Sequence, residues 1–269
     1  MRCPLSDILA AIIADKHLEV AAAERRRPLA EVEQQARLAP SARDFFAALD
    51  DPSTPRIIAE CKCKSPSRGL FLDPYDPVAL AKAYERGGAA AISVLTDSKY
   101  FGGQLAHLTA VRQAVTIPVL RKDFIVSAYQ IYEARAAGAD AFLLISGVLS
   151  AAELEPLIHL GRRLGMEPLI ESHSEAELTA AITTTGHILG VNNRDLKTFG
   201  IDLAISRSLV ALGQAKSPTP IMVCESGIKT AADIELMQGV GYNVFLVGEA
   251  LVTHPDPEAA VRALITPKR

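Results

Sequence analysis

The sequence predicts an α/β protein, a (β/α)8 TIM barrel with extra N-terminal helices. Two observations carry this prediction: eight short apolar runs rich in β-branched residues, and a stretch with helical periodicity after each of them. The runs are continuous rather than alternating, which is typical of parallel strands covered on both faces. They lie near residues 57–61, 91–95, 118–120, 141–145, 168–170, 188–191, 221–224 and 244–247.

Capping residues indicate where the intervening helices begin. Asp76 precedes a proline, so an N-cap acceptor stands before a residue suited to the first helical position. Ser150 with Glu153, and Ser174 with Glu177, have the spacing of capping boxes. After about residue 50 the chain therefore divides into strand–helix units of roughly 27 residues, close to the size of a βα unit.

A doubly wound open sheet is the alternative fold for this pattern. That fold usually has fewer strands and a glycine-rich turn after the first one. Residues 64–69 read KSPSRG, which lacks the GxGxxG spacing of such a turn, and 269 residues suit one barrel of about 250 residues. We expect a single catalytic barrel domain over residues 51–269, preceded by an N-terminal helical extension over residues 1–50 that packs on it.

Composition excludes several classes of protein. Lys and Arg number 28 against 31 Asp and Glu, so the net charge of −3 lacks the basic excess of most nucleic-acid-binding proteins. The apolar runs are too short to cross a bilayer, and nothing frames the N-terminal run as a signal peptide. Cys61 and Cys63 have a C-x-C spacing, which favours reduced structural thiols over a metal or redox site. We expect a cytoplasmic protein that binds neither nucleic acid nor membrane.

Polar residues follow almost every predicted strand, where a barrel of this kind has its active site. Glu60 and Lys62 are two residues apart and so share one face, and Leu120 shares a face with Lys122. Because a lone buried charge is unfavourable, we expect these charged side chains to point into the barrel mouth. The residues predicted to meet there are Glu60, Lys62, Lys122, Glu171, Asn192, Arg194, Glu225 and Glu249.

Lysines and glutamates that converge on one mouth suit acid–base catalysis, because neighbouring charges and partial burial can shift their pKa values toward neutrality. Lys62, Lys122 and Glu171 are the candidates. The alternative is a structural ion-pair network that closes the top of the barrel. Arg121 and Lys64, by contrast, are expected to point outward or to lie at the surface.

Two further features indicate a ligand. Ser226-Gly227 and Gly248-Glu249 occupy the turns after strands seven and eight, where such barrels often bind phosphate through backbone N–H groups. Glu249 would act there through its amide and not its carboxylate. Phe101 and Phe124 lie in other strand-to-helix loops, where aromatic side chains could grip a ring-bearing substrate. The alternatives are two ordinary turns and simple loop packing.

Taken in order, the motifs of the barrel resemble one family, the indole-3-glycerol-phosphate synthases of tryptophan biosynthesis. Each motif alone is short, but the ordered set is specific and covers essentially the whole barrel. The motifs are IAECK at 58–62, SPSRG at 65–69, LTD at 95–97, YFGG at 100–103, PVLRKDF at 118–124, PLIE at 168–171, GVNNRDL at 190–196, ESGI at 225–228 and VGEAL at 247–251.

The resemblance implies a reaction. The substrate would be 1-(2-carboxyphenylamino)-1-deoxyribulose 5-phosphate, and ring closure, decarboxylation and dehydration would yield indole-3-glycerol phosphate, CO₂ and water. No cofactor or metal is expected. Lys122 matches the general acid that protonates the keto oxygen. Glu171 and Lys62 match residues of later proton transfers, and which of them serves the dehydration is left open. Glu60 would orient the lysines.

The remaining matched positions would bind the substrate. Asn192 and Glu225 would hold hydroxyls and the charged network. The anion contacts would be Arg194 and Ser65, the apolar slot Phe101, Phe124 and Leu196, and the phosphate turn Ser226, Gly227, Gly248 and Glu249. We expect a monomer or weak homo-oligomer acting on a small phosphosugar. The rival functions are a phosphoribosylanthranilate isomerase-like sugar-phosphate barrel, which would need one acid–base pair, and a non-catalytic phosphosugar-binding barrel.

Overall fold

A computed structural model describes residues 7–195 and 198–266 of the chain. Eight parallel strands close into a barrel in the order of the chain. The predicted fold class is therefore confirmed. The strands are β1 (Arg56–Cys61), β2 (Ala91–Leu95), β3 (Val119–Lys122), β4 (Ala141–Ile145), β5 (Glu167–Ser172), β6 (Ile188–Asn192), β7 (Ile221–Glu225) and β8 (Val244–Val247).

The barrel closes where β1 pairs with both β8 and β2. Ile58 is in register with Leu246 on one side and with Ala91 on the other. Alternation along the strands places Ile58, Leu120 and Leu169 beneath Glu60, Lys122 and Glu171. These three apolar side chains are completely buried, so the charged residues stand on a packed hydrophobic floor.

Helices cover the outside of the barrel and also form the N-terminal segment of the chain. They are α1 (Asp7–Arg26), α2 (Leu29–Leu38), α3 (Phe45–Leu49), α4 (Pro77–Arg86), α5 (Ser98–Phe101), α6 (Leu105–Ala114), α7 (Ala128–Ala136), α8 (Ala151–Arg163), α9 (Glu175–Ile182), α10 (Ala204–Gln214), α11 (Ala231–Gln238), α12 (Glu249–Val252) and α13 (Pro257–Ile265). Between β1 and α4, residues 64–65 and 69–70 pair as a short antiparallel ribbon.

The predicted caps are largely confirmed. Asp76 accepts hydrogen bonds from the first-turn amides of α4, and Ser150 forms a capping box with Glu153 at the start of α8. At α9 only half of the predicted box forms. Ser174 accepts from the amide of Glu177, but the Glu177 carboxylate accepts from the amide of His173. The Glu177 carboxylate therefore contacts His173 instead of Ser174.

The N-terminal helices pack on two sides of the barrel. In α1, Ile8, Leu9 and Ile12 line the cavity at the barrel mouth. Farther along, Val20 of α1 and Val32 of α2 pack with Tyr129 of α7 in a small separate cluster. The start of the chain is thus tied both to the mouth and to the flank of the barrel. Among the described residues, none of the helices combines the length and apolar character that crossing a bilayer requires.

Candidate active site

A cavity of about 460 Å³ opens at the carboxyl ends of the strands, beneath the first turns of α1. Fourteen of the fifteen residues predicted for the site line it, and Leu196 lies outside the described residues. The fourteen are Glu60, Lys62, Ser65, Phe101, Lys122, Phe124, Glu171, Asn192, Arg194, Glu225, Ser226, Gly227, Gly248 and Glu249.

Lys122 lies at the centre of the charged groups. Its Nζ is 2.5 Å from Oε2 of Glu171 and 3.5 Å from Oε2 of Glu225. The strand that carries Lys122 runs two residues farther than the apolar pattern predicts. Burial disfavours the ammonium, but the neighbouring negative charges, that of Glu171 above all, outweigh it and raise the pKa of Lys122 above its ordinary value. Lys122 is therefore protonated at neutral pH.

The two carboxyl groups beside Lys122 differ in protonation. Burial would raise the pKa of Glu171, but Lys122 and His173 outweigh burial and hold that pKa well below its usual range. Burial and the negative charge of Glu171 raise the pKa of Glu225 well above its usual range. Of the two groups, Glu171 is therefore the one held in the ionised form, whereas the surroundings of Glu225 favour its protonated form.

His173 belongs to the same chain of charges, although the sequence prediction missed it. Its Nε2 lies 3.2 Å from Oε1 of Glu171, and its Nδ1 lies 3.5 Å from Oε2 of Glu177. Burial lowers the pKa of His173, but these two carboxylates outweigh it and raise the pKa to about 9. A signal was present, because His173 follows Glu171 by two residues and so shares its face.

Glu60 and Lys62 form a second pair across the mouth. Their charged atoms are 2.9 Å apart, and the Lys62 ammonium also lies 5.3 Å from the centre of the Phe71 ring. Gly248 makes room for this pair. A Cβ there would lie 2.3 Å from Oε1 of Glu60 and 2.8 Å from Nζ of Lys62. Only glycine permits so close an approach at position 248.

A comparable constraint surrounds Glu225. A Cβ on Gly190 of β6 would lie only 2.0 Å from Oε1 of Glu225. The Glu225 carboxyl therefore occupies the space that any other residue at position 190 would fill. Gly190 is a second residue that the prediction did not assign to the site, even though it opens the GVNNRDL motif.

The far end of the cavity holds arginine side chains. The Glu249 carboxylate lies 2.7 Å from Arg68 and 3.7 Å from Arg194. The Glu249 carboxylate thus contacts both arginines, and the expectation that Glu249 acts on an anion through its amide stays a prediction. The sequence prediction does not assign Arg68 to the site, although the SPSRG motif contains it.

The turn after β7 has a left-handed backbone beside these arginines. Ser226 has φ of 63°, and Gly227 has φ of 94°. Left-handed backbone is uncommon for serine and often marks a functional turn. Gly248 is the N-cap of α12, which starts at Glu249. Amides of two turns and two guanidinium groups therefore border the same end of the cavity, an arrangement suited to an anion.

Phe101 and Phe124 form an apolar wall. Their ring centroids are 6.1 Å apart and the rings are inclined by 37°. Both rings line the same cavity as Ile8 and Ile12 of α1. The wall is suited to an aromatic ring.

Arg121 was expected to point outward or to lie at the surface, but it is buried. It points away from the barrel interior, and its side chain is 3% exposed because α7 covers it. Its guanidinium is 3.0 Å from Asp123 and 3.0 Å from Glu133. Cys61 also points outward, where it is buried against α4. Within the described ranges, no group of three or more His, Cys, Asp or Glu side chains could hold a metal ion.

The fold and this cavity define a class, the (β/α)8-barrel enzymes that carry out acid–base chemistry on a small anionic substrate. Comparison with known proteins identifies the family. The family model for indole-3-glycerol phosphate synthase matches residues 9–264. The chain belongs to the indole-3-glycerol phosphate synthase family, whose members are carboxy-lyases.

Relatives in this family are similar over nearly their full length. The indole-3-glycerol phosphate synthase of Azoarcus sp. (strain BH72) is 46% identical over 263 residues, covering 97% of this chain and 99% of the relative. That of Microcystis aeruginosa (strain NIES-843) is 45% identical over 263 residues, covering 96% of this chain and 88% of the relative. The similarity therefore includes the N-terminal helices as well as the barrel.

Solved structures of other enzymes share the fold alone. 3-Hexulose-6-phosphate synthase superimposes with a TM-score of 0.60 at 19% identity, covering 78% of this chain and 97% of that one. Thiamine phosphate pyrophosphorylase from Pyrococcus furiosus superimposes with a TM-score of 0.57 at 15% identity, covering 78% and 93%. These likenesses support the barrel architecture and carry no argument about the reaction.

Proposed function

We propose that this chain converts 1-(2-carboxyphenylamino)-1-deoxyribulose 5-phosphate into indole-3-glycerol phosphate, CO₂ and water. The observation that carries the proposal is the protonated Lys122, held between Glu171 and Glu225 in a cavity with an aromatic wall at one side and arginines at the other. The substrate has the matching parts: an aryl ring, a keto group and a phosphate.

Ring closure needs an acid at the keto oxygen. As the aryl carbon that bears the carboxylate attacks the keto carbon, negative charge develops on that oxygen, and Lys122 donates a proton to it. The ionised Glu171 beside Lys122 keeps the ammonium charged before the reaction starts. Loss of CO₂ from the attacking ring carbon then restores aromaticity, and the new hydroxyl remains on the former keto carbon.

Dehydration needs an acid for the departing hydroxyl and a base for the proton lost from the neighbouring carbon. Two pairs in the cavity are available for this step. Glu171 is ionised beside Lys122, and Glu60 lies 2.9 Å from Lys62. We assign the step to Glu171 and Lys62, one acting as the base and the other as the acid. Glu60 orients Lys62.

The anionic ends of the substrate would bind at separate places. We assign the phosphate to the amides of Ser226, Gly227, Gly248 and Glu249, with Arg194 and Ser65 as further donors. Arg68 joins them, because its guanidinium already contacts the Glu249 carboxylate. An incoming phosphate would compete with that carboxylate for both arginines. Asn192 and Glu225 would hold sugar hydroxyls, and Phe101 and Phe124 the aryl ring.

Turnover by the wild-type protein tests the proposal directly. The purified chain, mixed with the carboxyphenylamino-deoxyribulose phosphate, should generate indole fluorescence and release CO₂. The chain has no Trp and 6 Tyr, so the emission of the indole product can be read without a tryptophan background. A folded protein that yields neither signal would overturn the proposal.

We also propose that the enzyme works in the cytoplasm as a monomer or weak homo-oligomer, without nucleic acid. Free cysteines in the described part of the chain, Cys61, Cys63 and Cys224, support a reducing compartment. Light scattering across a concentration series measures the oligomeric state, and a tight dimer at submicromolar concentration would contradict the proposal.

A further inference from the structure

Lys16 of α1 is a lysine buried outside the catalytic centre. Its side chain is 1% exposed, and its ammonium lies 3.0 Å from Asp97 and 2.9 Å from Asp123. A third carboxylate, from Glu19 on the same helix, is 2.9 Å away. Asp97 follows β2 and Asp123 follows β3, so one side chain of α1 joins two loops of the barrel mouth.

This arrangement is energetically demanding. A buried ammonium is unfavourable unless carboxylates compensate it, and two buried aspartates repel each other without a cation between them. Burial lowers the pKa of Lys16, but Asp123 and Asp97 outweigh it and raise the pKa above its ordinary value. Asp123 has a further cation in Arg121 at 3.0 Å, whereas the short contact of Asp97 with a cation is to Lys16.

The two aspartates hold the aromatic wall. Asp97 caps α5 by accepting a hydrogen bond from the amide of Tyr100, and Phe101 is the last residue of that helix. Asp123 accepts a hydrogen bond of 2.8 Å from the amide of Phe124. Each of the two aspartates that bind Lys16 is thus bonded to the backbone at or next to one ring of the pair.

Lys16 also fixes the helix that closes the cavity. Ile8, Ile12 and Lys16 are spaced four residues apart and so lie on one face of α1. Ile8 and Ile12 line the cavity, and Lys16, one turn farther along, contacts Asp123, which also lines it. The position of these isoleucines relative to Phe101 and Phe124 therefore depends on the ion pairs of Lys16.

We propose that Lys16 is a positioning residue for substrate binding, which locks α1, Phe101 and Phe124 into one apolar pocket for the aryl ring. The inference rests on the proposed function, because it assigns the aryl ring to that pocket. Lys16 takes no part in proton transfer. Its ammonium shapes the pocket through Asp97 and Asp123.

A structural role without any effect on the pocket is the competing explanation, and kinetics separate the two. Lys16→Met keeps the length of the side chain and removes its charge. A displaced aromatic wall weakens substrate and transition state alike, so KM should rise about tenfold while kcat stays within about twofold. Partial unfolding would instead lower the apparent kcat and leave KM unchanged, and that result would overturn the proposal.

Lys99 provides a matched control. It also links a loop after β2 to α1, through a contact of 2.6 Å with Asp15, but its side chain is 63% exposed. Exposed ion pairs contribute little. Lys99→Met should therefore leave KM within about twofold of the wild-type value. An equal rise of KM in both variants would contradict a special role for Lys16.

A double variant and a measurement without substrate complete the test. Lys16→Met with Asp97→Asn removes the aspartate that loses its close cation, so the melting temperature should recover toward the wild type while KM stays high. Recovery of KM together with the melting temperature would overturn the proposal.

Hydrogen exchange of amides 8–16 and 98–101 should accelerate in Lys16→Met and not in Lys99→Met, and unchanged exchange would likewise overturn the proposal. Because exchange needs no turnover, it distinguishes failure of this inference from failure of the proposed function.

Discussion

Single residues in the cavity set one another's protonation. Lys122 lowers the pKa of Glu171, and Glu171 in turn raises the pKa of Glu225. Spacing along a strand identifies which of these residues share a face, and for this reason Glu60, Lys62, Lys122 and Glu171 could be predicted. It does not identify contacts between strands distant in sequence. The roles of Gly190 and Arg68 arise from such contacts, so the sequence prediction missed them.

Replacement of Lys122 tests the centre of this network. Lys122→Ala should lower kcat by about 10³-fold or more, because the keto oxygen loses its proton donor. Substrate affinity should change less than about fivefold, since the arginines and the aromatic wall remain. Stopped-flow fluorescence measures turnover, and calorimetry with the inactive variant measures binding. Lys82→Ala, at an exposed position of α4, is the control. Near-normal turnover in Lys122→Ala would refute the general-acid role.

Gly190→Ala tests the close approach around Glu225. The added methyl group would lie 2.0 Å from the Glu225 carboxyl, so either that side chain or the strand must shift. We expect a loss of about 1–3 kcal/mol in the free energy of unfolding, as for other overpacked sites, and a fall in kcat/KM. Gly239→Ala is the control, because its Cβ would make only ordinary contacts of 3.4 Å or more. Equal stability and activity in both variants would show that position 190 tolerates a side chain.

Helices and strands could be predicted where local chemistry determines them. Continuous apolar runs indicate parallel strands, and Asp76, Ser150 and Ser174 mark helix starts that the structure contains. The docking of α1 depends on Lys16 meeting two aspartates more than 80 positions away, and no local pattern encodes that contact. Arg121 points outward, as one form of the prediction had it, but its burial depends on α7 covering it, which no local pattern encodes either.

Replacement of Asp76 tests whether a capping residue stabilises the start of α4. Asp76→Ala removes the acceptor for two first-turn amides and should lower the free energy of unfolding by about 1 kcal/mol. Asp76→Asn retains the acceptor and should cost much less. Denaturant unfolding measures both variants. Because α4 lies outside the cavity, kcat/KM should stay at the wild-type value, and a loss of activity at unchanged stability would contradict this assignment.

The whole molecule concentrates opposite charges at the barrel mouth although its net charge is only −3. Glu177, His173, Glu171, Lys122 and Glu225 form one continuous chain of ionisable groups from α9 across the mouth to β7. Such a chain makes the stability of the entire fold depend on pH. His173 makes the stability of the fold depend on pH on the alkaline side of neutrality, since the pKa of His173 rises from 6.5 to about 9 on folding.

The sign of this effect follows from linkage. The folded protein binds the His173 proton more tightly than the unfolded chain, so its contribution to stability is complete below pH 6.5 and is lost as pH rises through about 9. His173→Asn should therefore be less stable than the wild type at pH 6, and the difference should shrink progressively between pH 6.5 and 9. Urea unfolding followed by circular dichroism at each pH measures it. His159→Asn, at an exposed position of α8, should show no such convergence. A stability difference that stays constant or widens toward pH 9 would mean that His173 is not held as a cation between Glu171 and Glu177.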